Sequence, residues 1–237
     1  SSDLCMGCGM DTMSPADEHW IRSFLATPVL HEPGTTYMYN SMGSTLLGAM
    51  VRKVTGLGLQ DYLTPRLFDK IGIDAANLRW MTMPDGMEVG GGGLFATTED
   101  NLRLMKLYLN GGVWNGVRLL SETFVHDATT ERMDTWPAHA HTPYIYDNCV
   151  GYGYQIWMCR PEGSYRADGA FGQFSVVVPS LDLIVSINEA GFLGELMGHA
   201  DLHLLKEGEN HPIHGPQATL NALFDILVPQ IHADVED

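Results

Sequence analysis

Along the first half of the chain, apolar residues recur with a helical period. Trp20, Ile21, Phe24 and Leu25 are spaced by one, three and four, and Ser14-Pro-Ala-Asp-Glu18 ahead of them offers capping residues and a first-turn proline. Pro28 ends this element, because it has no backbone N–H to continue the helix. From Gly43 to Val54 the residues Leu46, Leu47, Met50, Val51 and Val54 form one stripe, and Gly56 is placed to close the helix in a left-handed conformation. A third helix is predicted over 59–71, kinked or split by Pro65. A fourth starts at Thr98-Glu-Asp100, carries Leu102, Leu104, Met105, Leu107 and Leu109, and closes at Gly111-Gly112. Gly90 to Gly93, just before it, is too glycine-rich for a regular element and predicts a sharp turn or a close approach of backbone.

Past a polar loop over 129–148 the period becomes extended. The segments 151–159, 164–167, 174–178 and 183–187 are aromatic or β-branched, and Pro161-Glu-Gly163 and Pro179-Ser-Leu-Asp182 separate strands tightly enough for an antiparallel meander. A last helix over 219–231 places Leu220, Leu223, Phe224, Leu227 and Val228 on one face. The pattern is that of an α+β chain: a mainly helical part over about 14–150, then antiparallel strands and a C-terminal helix over about 151–237. The stretch 191–216 reads as loop with a short helix.

Composition narrows the functional classes. Thirteen basic against 29 acidic residues give a formal charge of −16, which repels nucleic acid and anionic lipid, so neither is expected as a partner. No run of about 18 apolar residues is present to span a bilayer. The balance points to a water-soluble protein and does not choose between cytoplasm and export.

Cys5, Cys8, Cys149 and Cys159 are too few for a disulfide scaffold at this length and read as reduced thiols filling gaps in packing. Cys5-Met-Gly-Cys8 has half of a zinc spacing, but Cys149 and Cys159 do not supply the other half. His199 and His203 stand at helical spacing with His211 and His214 beyond, yet no glutamate follows His199, and a solvated surface is the expected role. Neither a metal nor another cofactor is expected.

Six strings appear in a telling succession: Glu32-Pro-Gly34 leading to Tyr39-Asn-Ser41, Leu46-Leu-Gly48, Val54-Thr-Gly56, Gly91-Gly-Gly-Leu-Phe-Ala-Thr-Thr-Glu-Asp100, Gly151-Tyr-Gly-Tyr154 and Asp168-Gly-Ala-Phe-Gly-Gln173. In this order the chain resembles the serine beta-lactamase and penicillin-binding-protein superfamily, in its esterase, D-aminopeptidase and class C beta-lactamase branch. The resemblance implies a beta-lactamase/transpeptidase-like fold and acyl-enzyme chemistry on a small ester, amide or peptide. It implies that Tyr39 relays the nucleophile's proton, a task suited to a phenol of lowered pKa. The plainer alternative for Tyr39 is a structural residue capping the helix near Gly43. Ser41 stands where the family most often has a substrate-binding asparagine, with Asn40 and Ser41 in the reverse order, and either of the two could face the cleft.

Ala167-Asp-Gly169 stands where the family usually presents Lys-Thr-Gly or His-x-Gly. Gly169 keeps backbone access for a substrate, while the cation is absent and Asp168 carries the opposite sign, which disfavours anionic substrates. Backbone N–H groups near Gly169 and Ala170 would form half of an oxyanion hole, and Trp157 and Phe171 would help to line the site. A tight strand bend around a buried Phe171 is the alternative for that segment.

No serine in the chain is followed three residues later by lysine, the pair with which this chemistry begins. The chain therefore reads as the C-terminal portion of a longer hydrolase, its partner being a missing N-terminal segment that brings the nucleophile. A catalytically inactive binding scaffold, or more remotely a metalloprotein built on the histidines, is the competing reading.

Overall fold

In the computed structural model, residues 19–136, 146–169, 172–188 and 216–236 are described. The fold is mixed helix and antiparallel sheet, and the chain divides into two compact units, residues 1–100 and 101–237. The change of period near residue 150 falls inside the second.

In the first unit, α1 (Trp20–Leu25) packs Trp20 and Ile21 against Met83, Met87 and Val89, onto which Ala49 also packs. The segment 14–18, expected to start this helix, lies outside the described residues. Helix α2 spans Ser41–Thr55 and ends at Gly56, which takes the left-handed conformation (φ 73°) and returns its N–H to the Arg52 carbonyl at 2.8 Å. Helix α3 (Leu59–Leu63) is followed by a π-turn at Thr64–Phe68 and by α4 (Asp69–Ile71). Pro65 lies in the π-turn, where it splits the helix as its missing N–H requires. Glu88 closes the other end of this region, its carboxylate accepting from the N–H groups of Leu59 and Gln60 at 3.1 and 3.3 Å. Strands β1 (Arg79–Trp80) and β2 (Leu94–Phe95) pair antiparallel, two residues each and too short to leave a period in the sequence.

The apolar stripe of α2 is only partly covered. The buried residues of the helix are Met42, Thr45 and Gly48; Leu46 and Val51 are half-buried, while Leu47, Met50 and Val54 are 56%, 55% and 85% exposed. The cause is the glycine-rich segment foreseen as a close approach. A Cβ at Gly91 would collide with the Ser41 carbonyl, and one at Gly90 would come within 2.8 Å of the Ser44 oxygen. Gly91 N–H donates to Thr45 Oγ1 at 3.1 Å, and that hydroxyl donates to the Ser41 carbonyl at 2.9 Å. Small residues allow this backbone contact, which covers that side of the helix and leaves Leu47, Met50 and Val54 outward.

Helix α5 (Thr98–Leu109) crosses from the first unit into the second. Its cap is Thr97 rather than Thr98: Asp100 Oδ2 accepts from the N–H and Oγ1 of Thr97, and Thr97 Oγ1 accepts from Asp100 N–H at 3.1 Å, a reciprocal capping box. The hairpin β3 (Val113–Trp114) and β4 (Val117–Arg118) follows, then α6 (Glu122–Ala128), a helix too short to show an apolar period, capped by Ser121 Oγ, which accepts from Phe124 N–H at 3.1 Å.

The meander is present in the second unit as β5 (Trp157–Met158), β6 (Tyr165–Gly169), β7 (Gln173–Val178) and β8 (Leu183–Asn188), hydrogen-bonded in that order. Alternation along β7 sends Phe174, Val176 and Val178 to one face, against Leu220, Leu223, Phe224 and Val228. Those four lie on the C-terminal helix, formed by α7 (Pro216–Ala222), a π-turn (Leu223–Leu227) and α8 (Val228–Glu236). The π-turn changes the phase of the helix, and Leu227, expected on the buried face, is exposed. Val177, Tyr165, Met158 and Ile156 pack on the opposite face against Met105 of α5. The sheet is thus covered on both sides by helices.

Gly91→Ala is expected to destabilise the chain by about 1–3 kcal/mol, because the added methyl meets backbone that cannot swing aside. Urea unfolding checks this against Gly92→Ala, where nothing lies within 4 Å of the added carbon and little change is expected.

Candidate functional site

Tyr39, Asn40 and Ser41 form the entrance to α2. Asn40 has an extended backbone, and its Oδ1 accepts from Gly43 N–H at 2.7 Å, so Asn40 is the N-cap of the helix. The capping role considered for Tyr39 therefore belongs to Asn40. Tyr39 itself is 42% exposed, a phenol held within two residues of a fixed helix start. Ser41 is the first helical residue, its carbonyl engaged by Thr45, and its hydroxyl is the polar side-chain group of the pair not used in capping.

The second set of candidates lies on β6. Tyr165 and Arg166 pair with β5, whereas Ala167, Asp168 and Gly169 pair only with Ser175, Phe174 and Gln173 of β7 among the described residues. Among the described residues no strand pairs with that stretch of β6 on the β5 side, and such an edge is the kind of backbone an extended ligand can join by main-chain hydrogen bonds. A Cβ at Gly169 would come 2.5 Å from Gln173 Oε1, so the glycine keeps this end of the strand narrow. Ala170 and Phe171 lie outside the described residues.

Asp168 is not a free negative charge. Arg166, two residues earlier and so on the same face of the strand, is fully buried, and its Nε donates to Asp168 Oδ2 at 2.7 Å. Its Nη1 donates to the carbonyls of Asp147 and Met158 at 3.0 and 3.1 Å, and its Nη2 to Asn148 Oδ1 at 2.7 Å. Asp147, also fully buried, accepts from Arg160 Nε at 3.1 Å and from Gln217 Nε2 at 2.6 Å. Arg160 reaches on to Asp225 and Asn221 of the C-terminal helix at 3.0 and 2.9 Å. Burial raises the Asp168 carboxyl above its ordinary range, and the guanidinium beside it works against that rise. Trp157 lies under this network: it is buried, with the Arg166 guanidinium 5.5 Å from its ring and Tyr152 edge-on at 4.8 Å. Its described surroundings are core.

The two cysteines within the described residues are poor nucleophiles. Burial pushes the Cys159 thiol up to about 11, and burial followed by the charge of Asp147 raises Cys149. Among the described residues no three His, Cys, Asp or Glu side chains gather to hold a metal. Cys5, Cys8, His199, His203, His211 and His214 lie outside the described residues. No described helix is long and apolar enough to cross a membrane.

The phenol at the capped helix start belongs to the first unit, and the strand stretch at 167–169 belongs to an antiparallel sheet of the second. The sequence profile of the beta-lactamase family matches residues 8–204, and the chain belongs to that family. An uncharacterised protein of Mycobacterium tuberculosis is 25% identical over 207 residues, covering 70% of this chain and 51% of that protein. A Bacillus anthracis protein assigned as a 6-aminohexanoate-dimer hydrolase shares the fold with a TM-score of 0.59 at 21% identity, over 88% of this chain and 55% of its own. Simvastatin synthase from Aspergillus terreus does so with a TM-score of 0.53 at 17% identity, over 75% and 56%. The chain spans about half the length of the curated relatives it matches.

Arg166 was missed in the sequence, although the spacing Arg166-x-Asp168 in an extended segment was enough to place the two charges on one face. Arg166→Met is expected to destabilise the chain by about 3 kcal/mol, since it leaves half-buried Asp168 without its counter-charge and strips the donors from the buried Asp147 and Met158 carbonyls. Chemical denaturation measures the loss, and an unchanged midpoint would refute the role of the pair. Iodoacetamide at pH 8 is expected to leave Cys159 unmodified in the folded chain and to alkylate it after unfolding, as peptide mass mapping would record.

Proposed function

We propose that this chain is the part of a beta-lactamase-related serine hydrolase that carries the proton-relay tyrosine and the substrate-binding strand edge. The observation carrying the reading is Tyr39, exposed and fixed beside the Asn40 cap, in a chain whose residues 8–204 match the family. The nucleophile comes from a Ser-x-x-Lys element outside these 237 residues, since no such pair occurs within them. Its serine oxygen attacks the carbonyl of an ester or amide while the hydroxyl proton passes through the lysine and Tyr39. The alcohol or amine departs with that proton, leaving an acyl-enzyme. Water then attacks the acyl carbonyl, its proton returns to the serine oxygen, and the acid is released.

The backbone edge at 167–169 would support an extended acyl group, and Ser41 offers the substrate a hydroxyl that can donate or accept. Ala167 offers no cation to attract a substrate carboxylate, and Asp168 is matched by Arg166, so an uncharged ester or amide fits this edge best. One structural neighbour is named for hydrolysing a 6-aminohexanoate dimer and another for making simvastatin. At 21% and 17% identity they share a fold with this chain, and the substrate class proposed rests on its own residues.

The polypeptide that includes the Ser-x-x-Lys element is expected to hydrolyse a p-nitrophenyl ester and to be labelled by a fluorophosphonate, while the 237-residue chain alone does neither. Tyr39→Phe should slow acylation in the longer form by about 10²–10⁴-fold. An unaltered rate would remove Tyr39 from the mechanism. The absence of Ser-x-x-Lys also favours a second reading, an inactive scaffold that binds its ligand at the strand edge. That reading requires saturable binding with no turnover even in the longer form.

A further inference from the structure

Arg166 divides its donors between two tasks. Nη1 and Nη2 hold structure, donating to the Asp147 and Met158 carbonyls and to Asn148 Oδ1. Nε instead donates to Asp168 Oδ2 at 2.7 Å, and Asp168 stands in the middle of the stretch of β6 that no described strand joins on the β5 side. The two partners also differ in exposure. The Arg166 side chain is wholly out of water, whereas 17% of the Asp168 side chain reaches solvent, so of the two it is the carboxylate that a ligand at the edge would meet.

A guanidinium keeps its charge throughout the pH range of proteins, and its planar donors suit a carboxylate whether that group belongs to the chain or to a ligand. Asp168 therefore holds the place that the acid group of a ligand would take. While it is there, an incoming carboxylate finds Nε occupied and a like charge in front of it. A neutral side chain at 168 would leave the cation available. We propose that Asp168 is a specificity-determining residue that acts as a built-in carboxylate: by occupying Arg166 Nε it keeps the buried cation from recognising acidic ligands, so the edge accepts amides and esters with neutral ends and rejects those that end in a carboxylate. The proposal deepens the reading of 167–169 as a ligand-binding edge and rests on it. A pair with a structural role alone would leave the choice between acidic and neutral ligands unchanged when the Asp168 charge is removed.

The test uses two probes on the 237-residue chain, with binding followed by NMR titration. N-benzoylglycine is an extended amide ending in a carboxylate, and N-benzoylglycinamide is the same chain with a neutral end. The unaltered protein should bind the neutral probe more tightly. Asp168→Asn keeps the shape and an oxygen for Nε but removes the negative charge, so it should tighten binding of the acidic probe by about tenfold, less at high salt, and leave the neutral probe unchanged. Equal changes for the two probes, or none, would overturn the proposal, as would failure of both probes to bind either protein. Asp168→Ala vacates the position altogether. Its melting temperature should rise with sodium acetate and not with acetamide or with sodium chloride at the same ionic strength. A variant that gains nothing from acetate, folded or unfolded, would place Nε out of reach of a ligand and would also overturn the proposal. Fluorophosphonate labelling of the polypeptide that includes the Ser-x-x-Lys element reports on hydrolysis separately. Charge-dependent binding without labelling keeps the role of Asp168 and removes the hydrolase reading; labelling without charge-dependent binding does the reverse.

Discussion

Arg166 is the point on which the second unit is organised. A guanidinium taken wholly out of water is costly unless its donors find acceptors, and this one meets a carboxylate, two carbonyls and an amide oxygen. Those acceptors come from β5, from β6 itself and from the turn at Tyr146–Cys149, so one side chain fixes three segments. Asp147 passes the constraint to Gln217, and Arg160 passes it to Asn221 and Asp225, which sets the C-terminal helix against the sheet in one register. The surrounding apolar contacts of Phe174, Val176, Leu223 and Phe224 supply the bulk of the burial, but such contacts tolerate sliding. The polar network does not, because a shift of one residue would strand buried charges.

The first unit reaches a fixed geometry by a different route. There the constraint is closeness of backbone: Gly90 and Gly91 lie against the first turns of α2, and Thr45 bridges the two segments through its hydroxyl. Since Asn40 caps the same turn, the entrance to α2 is held from two directions, by its own cap and by the glycine segment. That double restraint gives Tyr39 a defined base although the residue itself is exposed. The same contact leaves Leu47, Met50 and Val54 exposed on the far side of the helix.

Much of this was legible in the sequence because the relevant signals were local. The meander followed from β-branched runs separated by Pro-Glu-Gly and Pro-Ser-Leu-Asp, the end of α2 from Gly56, and the break after Leu63 from Pro65. The π-turn at Leu223 was not legible, since nothing in the apolar spacing shows where a helix will widen. Nor was the exposure of Leu47, Met50 and Val54 on α2, because periodicity identifies an apolar face without identifying what covers it, and here a glycine segment 35 or more residues away claimed the opposite side. The two-residue strands β1 to β4 are shorter than any period that could reveal them. The candidate roles of Tyr39 and of the strand at 167–169 come from the resemblance, whereas the neutralising partner of Asp168 required seeing Arg166 and Asp168 as neighbours on one strand face.

That partner changes the electrostatic argument about the edge. Read alone, Ala167-Asp-Gly169 replaces a cation by an anion and predicts repulsion of acidic ligands and attraction of amines. With Arg166 at 2.7 Å, the carboxylate and guanidinium form a pair whose field at a ligand falls off as that of a dipole. Neither sign of ligand charge is then strongly favoured by this strand, and on the hydrolase reading proposed above selection along it would come from backbone hydrogen bonds and from the width that Gly169 preserves. A hydrolase with such an edge would recognise the extended acyl chain by its shape and amide or ester dipoles, a mode of recognition that suits uncharged substrates and is insensitive to salt.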